Sequence, residues 1–171
     1  STNSFSVKHF RGPESDERAT LSVIEARGEL AHRPQMPQGL PLLKPPYSRM
    51  TAINLKTGEH VWMKPMGKGD RFRNLPSLKN LDLSPLGGDS SRAGPLVTKT
   101  LLIFALTAGG TDGGPRLVAY DKATGKEMAS VDLPAGAIGT PMTYMLDGKQ
   151  YIALTVGGIP VPELVVLALS E

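Results

Sequence analysis

One eleven-residue pattern occurs twice, and it constrains the fold of this chain more than any other feature. Ala52-Ile53-Asn54-Leu55-Lys56-Thr57-Gly58-Glu59-His60-Val61-Trp62 aligns with Ala119-Tyr120-Asp121-Lys122-Ala123-Thr124-Gly125-Lys126-Glu127-Met128-Ala129 at an offset of 67 residues. In each copy a strand ending in Ala-x-(Asp/Asn) runs into x-x-Thr-Gly, and a second strand follows. The Asp or Asn side chain accepts from backbone amides in the turn, Thr caps it weakly, and Gly takes the positive φ that closes the hairpin. Trp62, present in the first copy and replaced by Ala129 in the second, supplies a large flat surface for packing on a neighbouring sheet. Repetition at such a period is the mark of an architecture built from copies of one unit.

The remainder of the chain agrees with an all-β reading. Short apolar runs at Met50–Asn54, His60–Lys64, Leu96–Leu106, Arg116–Tyr120, Glu127–Leu133, Pro141–Met145, Gln150–Val156 and Glu163–Leu169 are strand-sized. Thr57-Gly58, Gly109-Gly110, Thr124-Gly125, Asp147-Gly148 and Gly157-Gly158 separate them as turn-forming pairs. Strands at such spacing build sandwiches, barrels or propellers, and no stretch patterns as a long amphipathic helix. Upstream, Ser1–Arg18 is polar and lacks an apolar period, and Leu21–Leu30 fits a short strand or a turn or two of helix equally. Prolines 34, 37, 41, 45 and 46 hold an irregular but directed loop. The expected division is an N-terminal arm over residues 1–38 and β-sheet units over 39–171.

Several functional classes recede on composition. The net charge of +3 arises from 19 basic and 16 acidic residues spread along the chain, so no basic block marks a nucleic-acid partner. The cluster Lys64, Lys68, Arg71 and Arg73 around Phe72 is diluted by Gly and Pro and reads as a solvated loop between sheets. Without cysteine there is no disulfide, thiolate zinc site or c-type haem attachment in this stretch. No apolar run approaches the roughly 18–20 residues of a membrane-crossing helix, so no transmembrane segment is expected. His9, His32 and His60 lack metal-ligand spacing, and Asp112, in a glycine-rich hairpin tip, offers one carboxylate where Ca2+ needs several.

The repeated Ala-x-Asp-x-x-Thr-Gly-x-x-x-Trp pattern resembles the tryptophan-docking motif of quinoprotein alcohol and glucose dehydrogenases. Two further stretches strengthen the resemblance. Gly139-Thr140-Pro141-Met142-Thr143-Tyr144, followed by Gly148-Lys149-Gln150-Tyr151 and Gly157-Gly158, is similar to the closing blade of these enzymes. Lys44-Pro45-Pro46-Tyr47 before Arg49-Met50-Thr51-Ala52, and Arg92-Ala93-Gly94-Pro95-Leu96-Val97-Thr98, are similar to the openings of successive blades. The resemblance spans roughly Gly39–Leu169 and implies an eight-bladed β-propeller carrying pyrroloquinoline quinone (PQQ), located in the periplasm. The chain itself is expected to form a partial arc of two to three blades. It is thus read as a fragment, or as one chain of several, whose partners are the remaining blades on the same gene product or another chain.

In that family a Ca2+ ion and a catalytic Asp act on the quinone and on a small alcohol or sugar substrate. Ca2+ and basic groups polarise the reactive carbonyl while the carboxylate removes the hydroxyl proton, so that hydride leaves carbon. In family order those groups precede the matched region, so no residue here is assigned as catalytic or as a metal ligand. What the resemblance leaves to this chain is a rim contact. Arg92 is expected to donate to a quinone carboxylate, with Ala93 and Gly94 letting the backbone approach closely. The competing expectation is a propeller scaffold or binding module without cofactor, akin to the lipoprotein propellers of outer-membrane assembly.

Overall fold

The computed structural model describes residues 36–157 and 161–168. It divides into two compact units, Ser1–Leu42 and Leu43–Glu171. In the first, a 3-10 turn at Pro37–Gly39 is closed by the Gly39 amide on the Met36 carbonyl, 3.2 Å. The readings made for Ser1–Arg18 and Leu21–Leu30 lie outside the described residues. Everything below concerns the second unit.

Among the described residues, nine strands form three antiparallel sheets in chain order. The first sheet pairs β1 (Arg49–Ile53) with β2 (His60–Pro65). The second has the order β3 (Leu96–Val97), β4 (Leu101–Leu106), β5 (Arg116–Asp121), β6 (Glu127–Asp132). The third is β7 (Met142–Leu146), β8 (Lys149–Val156) and β9 (Glu163–Ala168). The sheets do not close on one another, and the architecture is a partial propeller arc. A one-turn helix, α1 (Asp70–Arg73), interrupts the link from the first sheet to the second.

The repeat survives in backbone detail. Ala52 pairs with Trp62 and Ala119 with Ala129, and both hairpins bulge at the next step, Ala52/Ile53 in one and Ala119/Tyr120 in the other. In the turns, the Gly58 amide donates to the Asn54 carbonyl at 2.7 Å and the Gly125 amide to the Asp121 carbonyl at 2.8 Å. Only the side-chain acceptor differs. Asn54 Oδ1 takes the Lys56 amide, whereas Asp121 Oδ1 takes both the amide and the hydroxyl of Thr124. Those two donors hold the Asp121 carboxyl below the ordinary range.

One sequence expectation needs correction. Leu96–Leu106 is two strands, because the Thr98 amide donates to the Leu101 carbonyl at 2.8 Å and the Leu101 amide to Thr98 Oγ1 at 3.0 Å, turning the chain at Lys99-Thr100. The turn carries neither Gly nor Pro, so composition concealed it. By contrast Asp147-Gly148 folds as read, with φ of 50° and 77°, the doubly positive turn that matches strand twist.

Packing explains why β4 reads as an unbroken apolar run: it is buried on both faces. Ile103 and Ala105 join Leu117, Leu154 and Val156, packing the second sheet on the third. Leu102, Phe104 and Leu106 join Val118, Tyr120 and Met66, with Met50 and Trp62 against them, packing it on the first. A fully buried aliphatic side chain contributes about 1.5–3 kcal/mol, against roughly 1 kcal/mol for a turn hydrogen bond. Face-to-face stacking of sheets therefore holds the arc, and the turns set its register.

Candidate functional site

The segment joining the second sheet to what precedes it carries the residues singled out for chemistry. Arg92 and Ala93 form a bend, and Gly94-Pro95 leads into β3, so the strand begins at Leu96 and not at Arg92. Ala93 is 5% exposed and belongs to the core between the second and third sheets. Its amide donates to Ser91 Oγ at 3.2 Å, while the Ser91 amide reaches the Ala105 carbonyl at 3.3 Å. On the other side the Gly94 amide donates to Thr140 Oγ1 at 3.1 Å. Between these anchors Arg92 is exposed and makes no hydrogen bond or ion pair with another described residue. The bend thus presents an exposed guanidinium on a fixed backbone.

Gly94 is there for close approach. A Cβ at this position would lie 2.8 Å from Thr140 Oγ1. Thr140, in the Gly-Thr-Pro-Met-Thr-Tyr stretch, therefore touches the Arg92–Gly94 bend across the two sheets. That contact, 46 residues apart in sequence, was not legible in the sequence, where the stretch carries only its resemblance to a closing blade.

The first sheet meets the second through Trp62. Its indole N–H donates to the Lys122 carbonyl at 3.0 Å, and its ring covers Gly125, whose Cβ, if present, would stand 2.8 Å from Trp62 Cδ2. Lys64 adds a bond from Nζ to the Gly125 carbonyl at 3.1 Å and lies 5.0 Å from the Tyr120 ring centroid. Trp62 of the first repeat thus seats on the Thr-Gly turn of the second. Ala129, at the Trp position of the second repeat, is exposed in β6.

Sequence reasoning also missed a buried carboxylate. Asp89 is 3% exposed, and its Oδ2 accepts from the Gly69 amide at 2.7 Å. Ser48, 7% exposed, accepts at Oγ from the Gly88 amide at 2.7 Å. Together they tie residues 47–48, 66–69 and 86–89 where three passes of chain cross, and Gly67 leaves room for the carboxylate. Burial raises the Asp89 carboxyl above the ordinary range, the Gly69 amide opposing it. The glycines at 67, 69, 87 and 88 were its only trace in the sequence. The cations of the loop read as solvated are partly committed: Arg73 donates to the Leu83 and Ser84 carbonyls, and Arg71 lies 4.3 Å from the Phe72 ring centroid. His60 is exposed at the start of β2, and Asp112 is exposed in the loop between β4 and β5. Among the described residues no three His, Cys, Asp or Glu side chains gather into a metal-binding group.

With this geometry in view, comparison with known proteins is decisive. Residues 7–152 match the family described as "PQQ: Glucose/ethanol/alcohol dehydrogenase, beta-propeller domain". The chain belongs to this family. Its members are PQQ-dependent dehydrogenases acting on alcohols or sugars. The match begins at residue 7, within the segment 1–38 read as an arm. Among curated relatives, the quinoprotein glucose dehydrogenase of Escherichia coli is 36% identical over 126 residues, 71% of this chain and 15% of the relative. The glycerol dehydrogenase large subunit of Gluconobacter thailandicus is 37% identical over 142 residues, 78% of this chain and 18% of the relative. The chain thus spans less than a fifth of the length of these relatives. A quinohemoprotein alcohol dehydrogenase structure from Comamonas testosteroni is similar over 64% of the chain and 12% of its own length, with 24% identity and a TM-score of 0.43.

Proposed function

We propose that this chain supplies part of the propeller of a periplasmic PQQ-dependent dehydrogenase oxidising an alcohol or aldose, and that it is inactive by itself. The observation carrying this reading is the family match over most of a chain whose sheets form an open arc. In the completed enzyme PQQ would supply the redox chemistry, and Ca2+ and the catalytic carboxylate would be held by other blades. The remaining blades, on the same gene product or another chain, are then its obligatory partners.

Within that reading the Arg92–Gly94 bend faces the quinone. PQQ is a polycarboxylate, and a guanidinium is the side chain best suited to pair with a carboxylate in two parallel bonds. Arg92 fits this role because it is exposed, without a competing partner among the described residues, and carried on a bend anchored at Ala93 and Gly94. Ala93 and Gly94 contribute small size, and the Gly94 amide is already committed to Thr140. In the completed propeller, Arg92→Ala is expected to weaken quinone binding about tenfold or more, the worth of one charge-assisted hydrogen bond. Fluorescence titration of the apoenzyme with PQQ measures it, and unchanged affinity removes Arg92 from the site.

A further inference from the structure

Two independent sets of contacts converge on Thr140, a residue to which neither the family resemblance nor the proposed quinone contact gives a role. The first set fixes Thr140 to the third sheet. Residues 136–139 run along the end of β8: Ala137 bridges Val156, the Ile138 amide donates to the Thr155 carbonyl at 2.9 Å, and the Gly157 amide donates to the Gly136 carbonyl at 2.9 Å. Gly139 permits this approach, since a Cβ there would sit 3.3 Å from Thr155 Oγ1. Pro141 follows, buried, and its ring biases Thr140 toward extended backbone before β7 begins at Met142. Thr140 is therefore held at a set height on the third sheet while its side chain stays exposed.

The second set belongs to the bend. Ala93 is locked into the core and its amide onto Ser91. Gly94 has no side chain, and its amide bond to Thr140 Oγ1 at 3.1 Å is the bend's hydrogen bond to the third sheet. Removing that bond releases the Gly94 side of the bend from the third sheet, while Ser91, Ala93 and β3 keep their own anchors. The hydroxyl and the branched methyl of Thr140 both face the bend, since a Cβ on Gly94 would also meet Thr140 Cγ2 at 3.4 Å.

We infer that Thr140 is a positioning residue: its hydroxyl fixes the direction in which the Arg92–Gly94 bend presents Arg92. Its effect on cofactor binding rests on the proposed role of Arg92 at the quinone.

The test uses Thr140→Val, which keeps the shape and removes the hydroxyl, and Thr140→Ser, which keeps the hydroxyl, both in the completed propeller. Amide exchange at Gly94, read without cofactor, is expected to accelerate about fivefold in Thr140→Val, the loss of one ordinary hydrogen bond, and to return to the parent rate in Thr140→Ser. PQQ affinity is expected to fall by a similar factor in Thr140→Val and recover in Thr140→Ser, with melting temperatures held because position 140 is exposed. Unchanged Gly94 exchange in Thr140→Val overturns the contact. Unchanged affinity in Thr140→Val while Arg92→Ala binds PQQ weakly overturns the positioning role alone. Unchanged affinity in Arg92→Ala overturns the cofactor reading, and with it any role of Thr140 toward the quinone.

Discussion

Gly58 and Gly125 close the two repeated turns at nearly the same φ, 74° and 70°, yet they differ in what stands above them. Nothing lies within 4 Å of a Cβ built on Gly58, whereas a Cβ on Gly125 runs into the Trp62 ring. The pair thus separates the cost of a left-handed backbone from the cost of displacing the tryptophan. Gly58→Ala is expected to cost about 1 kcal/mol, the backbone term alone. Gly125→Ala adds overpacking and is expected to cost about 2–4 kcal/mol in all. Trp62 is the sole tryptophan of the chain, so its emission reports the displacement directly, with a red shift in Gly125→Ala and none in Gly58→Ala. Equal losses of stability in denaturant melts would show that the ring does not bear on the second turn.

At the scale of elements, β5 shows how a strand buried on both faces controls a titration. Tyr120 is 4% exposed, on the face turned toward the first sheet. Burial first, and the Glu127 carboxylate second, push its hydroxyl up from 10 to about 12. The unfolded chain releases this proton near 10 and the folded chain near 12, so between those values the unfolded state binds fewer protons and stability falls as pH rises. Below pH 10 the two states bind equally and the contribution is constant. Denaturant melts at about pH 9 and about pH 11 are therefore expected to diverge more in the parent than in Tyr120→Phe; identical pH dependence in the two proteins would contradict the burial of this hydroxyl. Elements of this kind were legible in the sequence because strand-sized apolar runs, turn glycines and the doubled pattern all agree. What escaped was contact across sheets. Thr98–Leu101 turns without Gly or Pro, Asp89 and Ser48 are tied to chain passes 20 and 40 residues away, and Gly94 meets Thr140 through a pairing that no local pattern encodes. Arg92 was singled out by family position; that it has no hydrogen-bond or ion-pair partner among the described residues became visible only in three dimensions.

For the molecule as a whole, the consequence lies at the two ends of the arc. The outward side of the first sheet leaves Ile53, Val61 and Met63 exposed, and the outward side of the third leaves Met142, Tyr144, Leu146, Leu164 and Val166 exposed. The inward sides of both sheets are packed on the second. Apolar faces of this kind are stable when covered by a further sheet, as in a closed propeller, and are association liabilities when bare. The family to which the chain belongs consists of PQQ-dependent dehydrogenases, and no residue described above is assigned as a catalytic base. The most direct measurement is PQQ-dependent, dye-linked oxidation of alcohols and aldoses by the purified 171-residue chain with Ca2+, beside the same chain assembled with its remaining blades. Turnover is expected in the assembly alone, and turnover by the isolated chain would contradict the reading of it as one arc of the enzyme.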